Sequence, residues 1–154
     1  MPRARAGAGG DPAAWWRRSA AWLVSEGMEI VAALFVENIE FRQVAGPATR
    51  IDLTGIFFST TVPAYPAQLA PHLVVLVRAP AGTDGNGTLD VVFVRDGEEI
   101  GRNTQQFFVE PGKFGYRLVR GELEFPEPAT VEARCTIVES GSSVTVPLTT
   151  LPVA

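Results

Sequence analysis

The side chains best suited to covalent or metal chemistry are few and scattered. The chain holds one histidine, His72, and one cysteine, Cys135, so a site built from several His or Cys ligands cannot form within it. A catalytic histidine needs a nucleophile or an orienting acid within hydrogen-bond reach. His72 follows Pro71 at the head of an apolar run, with no serine or cysteine motif beside it, and reads as a structural or surface residue. Cys135 lies on the apolar side of an alternating run and reads as a small buried core residue. Residues 84–90 (Asp-Gly-Asn-Gly-Thr-Leu-Asp) imitate the alternating oxygen ligands that open a calcium loop. The pattern then fails, with Leu89 where the sharp turn wants glycine and Arg95 where the bidentate glutamate belongs. A hairpin turn explains the same residues. Asn86-Gly-Thr88 is a glycosylation sequon only along a secretory route and is read as chance.

Paired carboxylates occur at Glu98-Glu99, beside Asp96, and at Glu122 and Glu124. Glycoside hydrolysis needs two carboxylates facing one sugar across a cleft, whereas Glu122 and Glu124 merely share one side of a strand. Neither a phosphate-cradling glycine loop nor a serine elbow is present. The expectation is therefore no catalytic residue, no metal and no cofactor. The remaining candidate is the loop Pro63-Ala-Tyr65-Pro66-Ala-Gln-Leu-Ala-Pro71. Its three prolines stiffen the backbone and Tyr65 offers a flat amphipathic surface. Tyr65, Pro66 and Pro63 are thus the candidate partner-contact residues. The competing reading is a rigid crossover between two sheets.

These residues must be positioned by a body that the composition makes globular. Of 154 residues, 46% are hydrophobic and 19% charged, enough to bury a core without disulfides or structural metal. The net charge of −4 hides an asymmetry. Residues 1–27 carry four arginines against Asp11 and Glu26, a net of +2, while the rest carries nine basic and fifteen acidic residues, a net of −6. An acidic body without a basic stripe argues against nucleic-acid binding. No stretch approaches the ~20 apolar residues of a spanning helix, and the apolar stretch after Arg17-Arg18 is too short for a signal peptide. A cytoplasmic location is the default.

Residues 1–10 have the composition of a disordered segment. Asp11, Pro12 and Gly27 then suit the N-cap, first position and stop of a short helix. On it Trp15, Trp16, Ser19, Trp22 and Leu23 share one face, which could dock on a partner, on the body or on a membrane surface. Met28 stands directly before the first strand, the expected start of the natural protein if this extension is not part of it.

From Met28 onward apolar residues recur with period two between turn signals. Strands are expected over residues 30–42, 50–59 and 72–78, the last buried on both faces. A further strand contains Leu89, Val91 and Phe93, and Asp96-Gly97 joins it in a tight hairpin to residues 99–109. Phe114, Tyr116 and Leu118 share one face, yet Leu123 and Phe125 must point inward, so a β-bulge is expected near Gly121. Val131, Ala133, Cys135 and Ile137 alternate with polar residues. Pro147 restricts the last strand, residues 144–149, to a sheet edge. About eight such strands predict one all-β domain over 28–154, a two-sheet antiparallel β-sandwich, with a barrel as the alternative.

Residues 34–38, the Asp52-Leu-Thr-Gly-Ile-Phe57 segment, the Val62–Pro71 loop and the Asp96-Gly97 turn resemble an uncharacterised bacterial family of small all-β proteins. The resemblance implies a sandwich fold and supplies no activity. With the absence of catalytic motifs, it leads to the expectation of a non-enzymatic protein-interaction or accessory module with a protein partner. The alternative is a carbohydrate- or small-ligand-binding sandwich. That reading needs exposed aromatics in the body, while all three tryptophans precede Met28.

Overall fold

The computed structural model describes residues 27–154; the expected helix of residues 11–27, with its tryptophan face, falls almost wholly outside them. Eleven strands and no helix make up the described chain: β1 (Glu29–Gln43), β2 (Thr49–Ile56), β3 (Ser59–Val62), β4 (Ala67–Leu69), β5 (His72–Arg78), β6 (Asn86–Arg95), β7 (Glu98–Phe108), β8 (Phe114–Arg120), β9 (Leu123–Phe125), β10 (Thr130–Ile137) and β11 (Ser143–Pro152). They form a four-stranded sheet in the order β2-β1-β5-β8, a five-stranded sheet in the order β3-β11-β10-β6-β7, and a small β4-β9 pair. Every pairing is antiparallel except β3 with β11. The all-β sandwich is therefore as expected, with eleven strands in place of about eight.

Alternation builds the core. Ala33, Phe35, Leu73, Val75 and Val77 from the four-stranded sheet meet Leu89, Val91, Phe93, Val131, Ala133, Cys135, Ile137 and Leu148 from the five-stranded one. Each fully buried aliphatic or aromatic side chain contributes about 1.5–3 kcal/mol. The ion pairs, by contrast, lie on the surface, where salt and solvent weaken them. The core sets the fold. The Asp96-Gly97 turn between β6 and β7 has both residues at positive φ, 51° and 79°, the mirror-image turn whose twist matches the flanking strands.

Three boundaries differ from the alternation reading. Residues 50–59 are not one strand: Phe57 N–H donates to Phe35 O at 3.0 Å, whereas Phe58 O accepts from Thr149 N–H at 2.9 Å. Adjacent residues thus bond to opposite sheets, and the chain changes layer between β2 and β3. Near Gly121 there is no change of phase. Arg117, Val119, Gly121, Leu123 and Phe125 form one continuous inward row, and Phe114, Tyr116 and Leu118 point out. The inward row is hard to see because Gly115 carries no side chain and Arg117 is polar. Finally, Pro147 lies where β11 is an edge, but β3 covers the same strand from Thr149 to Pro152. The proline limits only the stretch at which its missing N–H faces open space.

Candidate functional site

The candidate surface begins with a bend in the longest strand. Tyr116 pairs with Leu76, and Leu76 with Ala32, across the four-stranded sheet. Phe41 lies far beyond Ala32 on β1, about 30 Å away were the strand straight. Yet the Phe41 and Tyr116 rings are 5.6 Å apart, tilted by 38°. The outer part of the β1–β2 hairpin therefore folds back over the outer face of its own sheet. The bend falls at Glu37 and Gly55, where the β1–β2 ladder is interrupted and Gly55 takes φ +67°.

This arm is amphipathic across its width. Ile39 pairs with Leu53 and Phe41 with Ile51 on one side; Glu40 pairs with Asp52 and Arg42 with Arg50 on the other. Like charges directly opposite are unfavourable, and a diagonal pair relieves them. Arg42 donates to Asp52 through Nε at 2.9 Å and Nη2 at 3.1 Å. That hydrogen bond, with the guanidinium charge, holds the Asp52 carboxyl below its ordinary range. The apolar side faces the sheet, where Val36 and Val74, although on the outer face, are fully buried. Gly55→Ala should cost about 1–2 kcal/mol, because a residue with a Cβ is strained at positive φ. The Glu37 carboxylate it would meet can swing aside. Urea unfolding of Gly55→Ala against Gly55→Asn checks this, with asparagine the milder change.

Between the arm tip and β8 runs an open groove of about 560 Å³, bordered by Arg50 and Ile51 of the arm, Phe108 of β7, and Phe114, Tyr116 and Arg117 of β8. Its aromatics are exposed, Phe114 by 67%, Phe108 by 62% and Tyr116 by 41%, and Phe41, 57% exposed, packs against Tyr116 beside it. Leu118 continues the row on the same face of β8. A polar clamp fixes the floor. Arg117 donates through Nε and Nη2 to Gln105 Oε1 at 3.1 and 2.9 Å, and Gln105 Nε2 donates to Leu118 O at 3.0 Å. It ties the edge of one sheet to the edge of the other. A contiguous exposed aromatic patch rimmed by polar groups makes this groove the candidate contact surface.

The residues singled out from sequence lie elsewhere. Tyr65 is half-buried, its ring packed against the core, and its hydroxyl is buried with no hydrogen-bond partner among the described residues. Pro63 and Pro66 are exposed, and the Tyr65–Pro66 peptide is cis. Glu122 and Glu124 border a second depression of about 560 Å³, with Gln68 and Ala70 on its other side. The Asp84 carboxylate accepts the Asn86 N–H at 2.9 Å, and Thr88 donates its hydroxyl and N–H to Glu139 at 2.7 and 2.8 Å. These contacts shape a turn.

His72 is exposed on the outer face, between Val36 and Arg120. Cys135 is fully buried on the inner face of the opposite sheet, so the two do not meet. Burial pushes the Cys135 thiol up to about 12, leaving almost no thiolate at neutral pH. A thiol reagent should label the native chain only at the rate of its unfolding, and labelling as rapid as that of a denatured control would contradict this.

Among the described residues, no helix is long and apolar enough to cross a membrane and no group of three or more His, Cys, Asp or Glu is placed to hold a metal. Compared with known family models and with curated proteins, the chain matches none.

Proposed function

We propose that this domain is a non-catalytic protein-interaction module whose contact surface is the groove between the folded-back arm and β8. The exposure of Phe41, Phe108, Phe114 and Tyr116 in one place carries the reading. Aromatic residues dominate the energetics of protein interfaces, and leaving four of them in water is unfavourable unless a partner covers them. Arg50 at the border supplies part of the polar rim such interfaces have. The separation of His72 from Cys135 supports a role outside nucleophilic catalysis. A lone, buried thiol suits a reducing compartment, and we place the protein in the cytoplasm.

The test is affinity capture from source lysate by the full chain, compared with Phe114→Asp/Tyr116→Asp. Both side chains point outward, so the variant should melt close to the parent. Retention of the parent's partner should fall about thirtyfold, the effect of losing about 2 kcal/mol at a hot spot. Equal retention by a folded variant would reject the groove as the contact surface. Pro63→Ala in the same assay reads any contribution of the proline loop.

One observation favours a second reading, a carbohydrate- or small-ligand-binding sandwich. The groove's volume lies within the ~300–1,000 Å³ of small-molecule sites, and Phe108, Phe114 and Tyr116 provide flat rings for a sugar face. Binding of immobilised glycans, lost in the same variant, would select it.

A further inference from the structure

We propose that the partner docks as an extended, acidic segment that adds a strand to the open edge of β8, beside the aromatic row. The inference rests on the groove as the contact surface and adds the form and charge of what fills it.

The backbone of β8 is the first observation. β8 is an end strand of its sheet and pairs with β5 along its whole length without a register shift. Lys113 O accepts from Ala79 N–H at 3.0 Å, and Gly121 N–H donates to Pro71 O at 3.2 Å. Along an antiparallel strand, residues bonded to one neighbour alternate with residues whose backbone groups point away from it. Odd-numbered positions therefore bond to β5, while Phe114, Tyr116, Leu118 and Arg120 turn their N–H and C=O groups to the open side. Leu118 O confirms the direction, since it accepts from Gln105 Nε2 of the other sheet. Such a row is a template for a further strand, and strand addition is a general mode of peptide capture. The other ends of the two main sheets are less regular. β2 is bent at Gly55, φ +67°, β3 has only 4 residues, and the β7 ladder shifts register between Phe93 and Val94.

The second observation is what flanks that edge. Phe114, Tyr116 and Leu118 are exposed on one face, and residues paired with them on an added strand would project from the same face. Apolar or β-branched residues at every second position would then form the cross-strand pairs that stabilise sheets.

The third is charge. Residues 28–154 carry a net −6, yet β8 holds Arg117 and Arg120 and no acid, and Arg50 borders the groove. Carboxylates opposite Arg117 and Arg120 complement this edge. The same arginines disfavour a second copy of the chain. Antiparallel self-pairing centred on β8 would set Arg117 against its own counterpart, and like charges directly opposite are destabilising. Charge thus selects an acidic strand over the chain itself.

The test titrates the full chain into a fluorescently labelled synthetic peptide, Glu-Glu-Thr-Val-Glu-Val-Thr-Val-Glu, and follows its anisotropy. Laid antiparallel, its valines oppose Leu118, Tyr116 and Phe114, and its central glutamate opposes Arg117. N-methylation of the first two valines, whose amides face β8, should weaken binding about tenfold. N-methylation of the two threonines, whose amides face away, should leave binding unchanged. The peptide with lysine in place of every glutamate should bind at least about tenfold more weakly. In the chain, Leu118→Pro removes an edge N–H where a sheet tolerates proline, and it should bind the peptide about tenfold more weakly than Leu118→Ala. Equal binding of the two methylated peptides, or no binding up to about 1 mM, would overturn strand addition. Equal binding of the lysine peptide would overturn the acidic specificity. A dimer of the parent chain that Leu118→Pro dissolves, seen by sedimentation velocity, would overturn the proposal in favour of self-pairing. Each of these failures leaves the Phe114→Asp/Tyr116→Asp comparison to decide separately whether the groove is the contact surface.

Discussion

Truncating Phe35 to alanine is expected to lower the unfolding free energy by about 3–5 kcal/mol. The Phe35 ring is 0% exposed, lies between the two main sheets, and meets the Phe57 ring at a centroid distance of 6.3 Å. Its removal loses apolar burial and leaves a cavity that closed sheets on either side cannot fill. Phe57 is also the residue at which the chain leaves one sheet for the other, so the cavity opens beside the crossover. Against a total stability of about 5–15 kcal/mol for a domain, this is a large fraction. Phe114→Ala removes a ring of the same size from the surface and should change stability by no more than about 0.5 kcal/mol. Urea unfolding of both variants checks the contrast. Near-equal midpoints would mean that the packing described here is wrong.

Gly85→Ala should follow with a loss of about 2–4 kcal/mol, for a different reason. Gly85 adopts φ +83°, where a side chain is strained by about 1–2 kcal/mol. Its carbonyl accepts the Val109 N–H at 2.9 Å. An added Cβ would overlap the Val109 carbonyl oxygen and approach the Phe108 ring to 2.7 Å. The backbone cannot yield without weakening that hydrogen bond, itself worth about 0.5–1.5 kcal/mol. Because Phe108 borders the groove, the variant should also weaken partner capture in whatever fraction stays folded. Gly82→Ala, three residues away in the same loop, meets nothing within 4 Å and should be close to neutral. Thermal melts of the two variants decide between local strain and a general intolerance of the loop.

Much of this fold is written in local patterns, and the site is not. Residues 131–137 alternate cleanly because one face of β10 is core and the other solvent, so period two and burial coincide. Asp96-Gly97 is equally legible, since few other residue pairs accept two positive φ values in succession. β8 misleads for a physical reason. Its larger apolar residues, Phe114, Tyr116 and Leu118, occupy the outer face, while glycine and arginine take inward positions. Gly115 does so because a Cβ there would approach Val109 Cγ2 to 2.6 Å, and Arg117 because Gln105 satisfies its guanidinium. Neither partner is a sequence neighbour. The folded-back arm is hidden for the same reason, since what its Ile39, Phe41, Ile51 and Leu53 side covers is the far face of its own sheet. A clue was present in Gly55, a glycine inside a strand pattern, which often marks a bend. Tyr65, an aromatic in a proline loop, packs partly against the core, a contact that its sequence neighbours do not reveal.

Everything proposed about the groove depends on the arm lying back across β8, and one cross-linking experiment addresses that directly. In Phe41→Cys/Tyr116→Cys, a short bismaleimide should join the two new thiols within one chain, with Cys135 unlabelled because it is buried. Rapid intramolecular cross-linking, read by intact mass and peptide mapping, is the predicted result. Labelling of each thiol by a separate reagent molecule, with no bridge between positions 41 and 116, would show the hairpin standing away from the sheet and would remove the groove.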